Sequence, residues 1–363
     1  MRILLGTLAL ALAIPVAGPA AATIPSTGPS AHRAWDVTVV DAGQSFRGLD
    51  AVDKHTAWIG GGSVPSGGPG EVWRTTDGGD TWQDVSPPDT AGLMFRDVEA
   101  RSTDVAQVLA IGEGEASRIY RTTDGGQTWT ETFRNQEKKA FYNCMDFYPG
   151  GRRGLAVSDP VDGKFRIIGT DDGGRSWQVL PADGMPDSTG EYNFSASGDC
   201  LVISGRRAYF GSGGAAARVF SSVDGGLTWR ATDSTIPAGE AAGVFGLAFR
   251  DPGHGLAVGG DFAAPADTEE TDDEQDITAY PGDGRGWTNG GDLAHLGEDA
   301  AWLAGSRSTY LTVGESGDVA GSSLTRDGGR TWRPFDDVGF HTLDCTYDGA
   351  CWAAGGGGRV GQL

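Results

Sequence analysis

One octapeptide occurs five times in this chain, as Thr75–Trp82 (TTDGGDTW), Thr122–Trp129 (TTDGGQTW), Thr170–Trp177 (TDDGGRSW), Ser222–Trp229 (SVDGGLTW) and Thr325–Trp332 (TRDGGRTW). Its aspartates, Asp77, Asp124, Asp172, Asp224 and Asp327, follow one another at 47, 48, 52 and 103 residues. The last interval is two periods, so one unit has lost its copy. A period of 40–50 residues in a glycine-rich chain predicts a ring or stack of repeated sheets rather than two unlike domains.

Each unit reads as four strands. In the third, Phe141–Phe147, Gly154–Val157 and Phe165–Gly169 precede the octapeptide, and Ser176–Leu180 follows it. The alternation and the β-branched and aromatic content indicate strands, with Gly and Asp clusters between them. The same grammar fits Phe46–Val85, Phe95–Phe133, Tyr192–Thr232, Val244–Thr288 and Ala300–Phe335. The octapeptide falls at the turn from third to fourth strand. There an Asp carboxylate can accept turn N–H groups, paired glycines permit positive φ, and a Thr or Ser hydroxyl adds a local bond. The tryptophans Trp82, Trp129, Trp177, Trp229 and Trp332 then open the fourth strand and can bury their rings between sheets. Repetition of the aspartate at five places suits a scaffold better than one active centre.

The turn that lacks an intact octapeptide is expected near residues 279–288, where AYPGDGRGWT keeps Gly284 and Trp287. The tail from Phe340 onward holds only two or three strands, while Ala34–Ser45 (AWDVTVVDAGQS) resembles the end of a unit. Pairing the two completes a seventh sheet and protects both edges. The expected fold is an all-β, seven-bladed β-propeller of four-stranded antiparallel blades over residues 34–363, closed by an N-terminal strand.

Residues 1–22 read as a secretory signal, with Arg2, the apolar stretch Ile3–Val16 and the small residues Ala20–Ala22, and residues 23–33 as a flexible lead-in. An exported chain permits disulfides. The hairpin CTYDGAC brings Cys345 to Cys351, which leaves Cys144 and Cys200 at similar places in adjacent repeats. The cysteine spacing suits no zinc site. The net charge of −21 disfavours nucleic acid and anionic lipid as partners. The acidic stretch Asp261–Asp276 lacks the turn-forming glycine of a calcium loop, and like Gly60–Gly70 it reads as a solvated insertion.

The octapeptides match the Asp-box, or BNR, repeat of sialidases and other propellers. Between them, FRDVEA, RGLAVSDPVDGKF and GLAVGGDF resemble exported proteins of the photosystem II assembly and stability factor family. The resemblance spans roughly residues 34–363 and implies an envelope-located binding or assembly module, here expected to be a monomer. Sialidases carry their first arginine in Arg-Ile-Pro, whereas SFRGLD gives Arg47 neither following residue. No dinucleotide, flavin or haem motif is present, so no cofactor is expected.

In a propeller the face opposite the Asp-boxes surrounds the channel mouth. The residues expected there are Arg47, Arg96, Tyr142, Asn143, Tyr192, Asn193 and His341, with the acids Asp159, Glu191 and Asp261. The arginines and tyrosines can grip a carboxylate of a protein or peptide partner. Alternatively, two of Asp159, Glu191 and Asp261 can serve a glycosidase, with a glycan as ligand.

Overall fold

The computed structural model describes residues 34–263, 278–281, 286–316 and 319–363. The signal and lead-in assigned to residues 1–33, and the acidic stretch from residue 264 onward, lie outside them. Seven antiparallel sheets form the ring. Their inner strands are Gln44–Ala51, Met94–Ala100, Tyr142–Phe147, Leu201–Ser204, Ala242–Asp251, Asp299–Trp302 and Thr342–Cys345. In the seventh blade the outermost strand is N-terminal: Asp36–Val39 pairs with Arg359–Gln362 from Asp36↔Gln362 to Val39↔Arg359. First and last segments thus share one sheet and close the ring.

The Asp-box turns follow one hydrogen-bond plan. In the second blade Asp124 accepts the Thr128 N–H at 2.9 Å and its hydroxyl at 2.6 Å, while the Thr122 hydroxyl donates to Asp124 at 2.8 Å and accepts the Gly126 N–H at 2.9 Å. Asp77, Asp172, Asp224 and Asp327 repeat these contacts. The turn therefore satisfies its own polar groups and spends the carboxylate locally. The tryptophan that follows packs toward the preceding blade, as Trp129 does with its ring 6.3 Å from Trp58 and its Nε1–H donating to Val85 O at 2.7 Å.

Two blades without an intact box keep that tryptophan. Trp287 begins the fifth blade's outer strand Trp287–Asn289, and Trp35 immediately precedes the closing strand Asp36–Val39. Trp35 is buried against Phe335 and Phe340 and donates to the Ser322 hydroxyl at 2.8 Å. The apolar core is divided among seven clusters, one for each seam between neighbouring blades. Burying a large side chain in such a seam is worth about 1.5–3 kcal/mol.

Carboxyls on the inner strands tie the blades together. Asp50 accepts the Ala100 N–H at 2.5 Å, Asp299 that of Leu343 at 2.8 Å and Asp344 that of Ala51 at 2.9 Å. Asp97 and Asp146 accept from Met145 and Ile203 in the same way. Each bond crosses to the next blade, and together they line the channel wall.

The fourth blade departs from the expected Tyr192–Thr232. Its inner strand begins at Leu201 after a 3-10 turn, Gly198–Cys200, and its outer strand ends at Asp233. Glu191–Tyr192 pairs instead with Gly213–Gly214, which joins the edge of the fifth blade through Gly213↔Gly243. The glycines permit this approach, because a Cβ on Gly243 would stand 2.3 Å from the Gly213 Cα. Disulfides join Cys144 to Cys200 and Cys345 to Cys351. Among the described residues no helix is long and apolar enough to cross a membrane.

Candidate functional site at the channel mouth

A β-bulge at the same place on several inner strands turns one side chain into the mouth. In the first blade Phe46 faces Gly61 and Gly48 faces Gly60, which makes Arg47 the extra residue. Arg96, Asn143 and Phe245 are the extra residues of the second, third and fifth blades. In the sixth and seventh, Glu298 and His341 donate N–H to Val313 O and Ala354 O, the partners of the residues that follow them. Bulges of this kind re-aim a side chain without ending the ladder. The result is a cavity of 740 Å³ whose rim carries Arg47, Arg96, Asn143, Phe245 and Glu298.

The two arginines differ in their partners. Arg47 Nη1 lies 3.1 Å from Glu298 Oε2 and donates to Ala196 O at 2.9 Å. Glu298 also meets His341 Nδ1 at 2.8 Å and accepts the Glu315 N–H at 3.0 Å. Glu315 in turn holds Arg359 at 2.7 Å. His341 and Arg47 overcome burial at Glu298 and hold its pKa below the ordinary carboxylate value. Arg96 donates to Ser195 O and to Met94 Sδ, and among the described residues it forms no ion pair. Burial, with Arg47 nearby, pushes its pKa down to about 9, so it remains a cation at neutral pH.

Asp159 lines the same cavity and accepts from Asn143 Nδ2 at 3.0 Å and the Asn193 N–H at 2.8 Å. Burial outweighs those bonds and raises its pKa to about 6. Tyr192, 49% exposed, stands between the mouth and an adjoining cavity of 330 Å³. Phe141 and Asp159 border both spaces as well.

Three of the expected residues are placed elsewhere. Glu191 is buried in an ion pair with Arg218, accepts the Ser212 hydroxyl at 2.7 Å and borders only the adjoining cavity. Asp261, at the end of its strand, accepts the Ala263 N–H at 2.8 Å and does not line the mouth. Tyr142 is fully buried in the seam between second and third blades, its ring 5.2 Å from Phe133. His341 reaches the mouth through Glu298.

Sequence reasoning passed over Glu298, Glu315 and the phenylalanines Phe194, Phe245 and Phe262. For Glu298 the available signal was the bulge position, which precedes an inner-strand Asp by an odd number of residues in Arg47/Asp50, Asn143/Asp146, Glu298/Asp299 and His341/Asp344.

The family model for the BNR/Asp-box repeat matches residues 120–131, which contain the second octapeptide. The chain carries an Asp-box repeat. No curated protein matches this Asp-box propeller in sequence. Among solved structures it is similar to YCF48 bound to D1 peptide, with a TM-score of 0.60 at 15% identity over 91% of this chain and 96% of that one. It is equally similar to YCF48 from Cyanidioschyzon merolae, with a TM-score of 0.60 at 16% identity over 91% and 99%. A GH74 xyloglucanase from Xanthomonas campestris gives a TM-score of 0.57 at 14% identity, over 90% of this chain and 53% of the enzyme. At these identities the likeness is one of fold.

Proposed function

We propose that this Asp-box propeller is an exported, noncatalytic module that binds a protein or peptide partner at the channel mouth and assists assembly of an envelope complex. The observation that carries the reading is Arg96, a partly buried guanidinium at the cavity wall that forms no ion pair among the described residues. A ligand carboxylate would supply the missing counter-charge through charge-assisted bonds. Arg47 is already engaged by Glu298 and plays the secondary part. The two disulfides suit an oxidising compartment. YCF48, a propeller of similar fold, has a structure with a D1 peptide bound, which supports a peptide as the kind of ligand for this propeller.

The test is a crosslinking pull-down from native cell envelopes with the wild-type protein and with Arg96→Ala. A partner held by the wild type and lost by the variant supports the reading. Equal capture by both would overturn it.

Glycan hydrolysis is the second reading, favoured by one observation. Asp159 is raised to about 6 while Glu298 is held ionised, a split of the kind an acid and its partner need. Against it, the Glu298 carboxylate already serves Arg47, His341 and the Glu315 N–H. Release of reducing ends from oligosaccharides, abolished by Asp159→Asn, would establish this reading.

A further inference from the structure

Three phenylalanines form one wall of the mouth. Phe194 stands 5.4 Å from Phe245 and 5.9 Å from Phe262, both edge-on, and Phe245 lies 6.3 Å from Phe262. Phe245 is buried, whereas Phe262 leaves 51% of its surface to solvent. The wall is braced from behind. A Cβ on Gly213 would stand 2.4 Å from the Phe194 Cε2, so only glycine lets that ring seat there. Phe262 is fixed through its N–H to Ala241 O at 3.1 Å.

Phe245 belongs to the fifth blade and Arg96 to the second, as far apart as a ring of seven allows. The guanidinium nevertheless reaches across to Ser195 O, one residue from Phe194. Cation and aromatic wall therefore line one cavity, with the cation bonded to the residue next to Phe194. An Asp or Glu side chain could satisfy Arg96, but the same residue would then have nothing apolar for the wall. A C-terminal residue carries both, with its α-carboxylate and its side chain on one Cα. The cavity of 330 Å³ sharing Phe141, Asp159 and Tyr192 gives the rest of such a chain a way out over Tyr192.

We propose that the mouth is a receptor for chain ends, with Phe194, Phe245 and Phe262 holding the bulky apolar side chain of a C-terminal residue whose carboxylate lies on Arg96. The proposal rests on the peptide-binding reading above and adds the identity of the residue recognised. Arg96 supplies the requirement for a free carboxylate, and the three rings supply the preference for a large apolar side chain.

Fluorescence anisotropy of labelled octapeptides tests it on the intact protein. The probes share a Gly/Ser/Ala body and end in Phe carboxylate, Ala carboxylate or Phe carboxamide; a fourth ends in carboxamide with an internal Glu. The expected result is binding of the Phe carboxylate peptide at least about tenfold tighter than the Ala one, from burial of the ring. The two carboxamide peptides should bind more weakly still. Phe262→Ala, a change at a half-exposed side chain, should erase the Phe/Ala difference while retaining the Ala carboxylate affinity. Arg96→Ala should erase the carboxylate dependence. Equal binding of the Phe and Ala carboxylates, with Arg96 still required, would overturn the apolar subsite and leave peptide binding standing. Preference for the internal Glu would overturn recognition of a chain end. Absence of binding by all four would overturn the proposal as well, and the envelope pull-down then decides the underlying reading independently.

Discussion

A Cβ on Gly126 would stand 2.5 Å from the Val85 Cβ of the preceding blade, and its φ is +83°. Two separate demands thus fall on one residue: a left-handed backbone and the absence of a side chain at a seam. Gly126→Ala is expected to lower stability by more than about 1 kcal/mol, read as a drop in the thermal midpoint. An unchanged midpoint would mean that the Asp-box turn is not fixed by its neighbour. The same argument explains what could be read from sequence at this scale. The Asp-box pattern exposes a turn whose bonds are local, so its geometry is written in eight consecutive residues. Arg47 and Arg96 were visible because each follows a phenylalanine near the start of an inner strand. The pairing of Arg47 with Glu298 spans 251 residues and depends on ring closure, so no local pattern carries it. Phe262 reads in sequence as an ordinary hydrophobe, and only the cluster with Phe194 and Phe245 gives it a role.

Strands and their covalent ties form the next scale. The Cys144–Cys200 bond joins the third blade's inner strand to the turn that begins the fourth, across a sequence separation of 56. The Cys345–Cys351 bond clips one hairpin with a separation of 6. Loop-closure entropy makes the longer tie worth about 4 kcal/mol and the shorter about 2 kcal/mol. Replacing Cys144 and Cys200 together by alanine is therefore expected to shift the denaturation midpoint more than replacing Cys345 and Cys351. The opposite order in urea titrations would show that the fourth blade's entry is held by its packing alone. That entry is also where sequence reasoning started the strand nine residues early. Glu191–Tyr192 has strand character, but the Arg218 ion pair and the Gly213–Gly214 contact hold it against the fifth blade's sheet. Strand type was legible there, and strand partner was not. The seventh blade was legible for the opposite reason, since Trp35 repeats the tryptophan that opens the outer strand elsewhere.

The closed ring gathers charge that no single blade would tolerate. Asp50, Asp97, Glu99, Asp146, Asp199, Asp299 and Asp344 lie along the channel, and burial raises the pKa of each above the ordinary carboxylate value, Asp146 and Asp299 to about 7. Neighbouring carboxyls reinforce the effect, as Asp344 does for Asp50 and Asp299 for Asp199. Between the unfolded value near 4 and about 7, the folded state thus holds protons that the unfolded chain releases. Stability must then fall as pH rises through that window, because the unfolded state binds fewer protons. The Asp-box carboxylates act with the opposite sign, but Asp172, lowered to about 2, matters only below the ordinary carboxylate value. His295 also opposes the trend, since burial holds its pKa below the free value and the unfolded chain takes up its proton first. One histidine stands against seven carboxyls, and the net charge of −21 adds repulsion that acid relieves. The thermal midpoint should therefore rise as pH is lowered from 8 to 5. Asp299→Asn, whose amide oxygen can still accept the Leu343 N–H, should flatten the slope. A midpoint that falls over the same interval would show that the channel carboxylates are ionised in the folded ring, with solvent reaching the latches that hold its blades together.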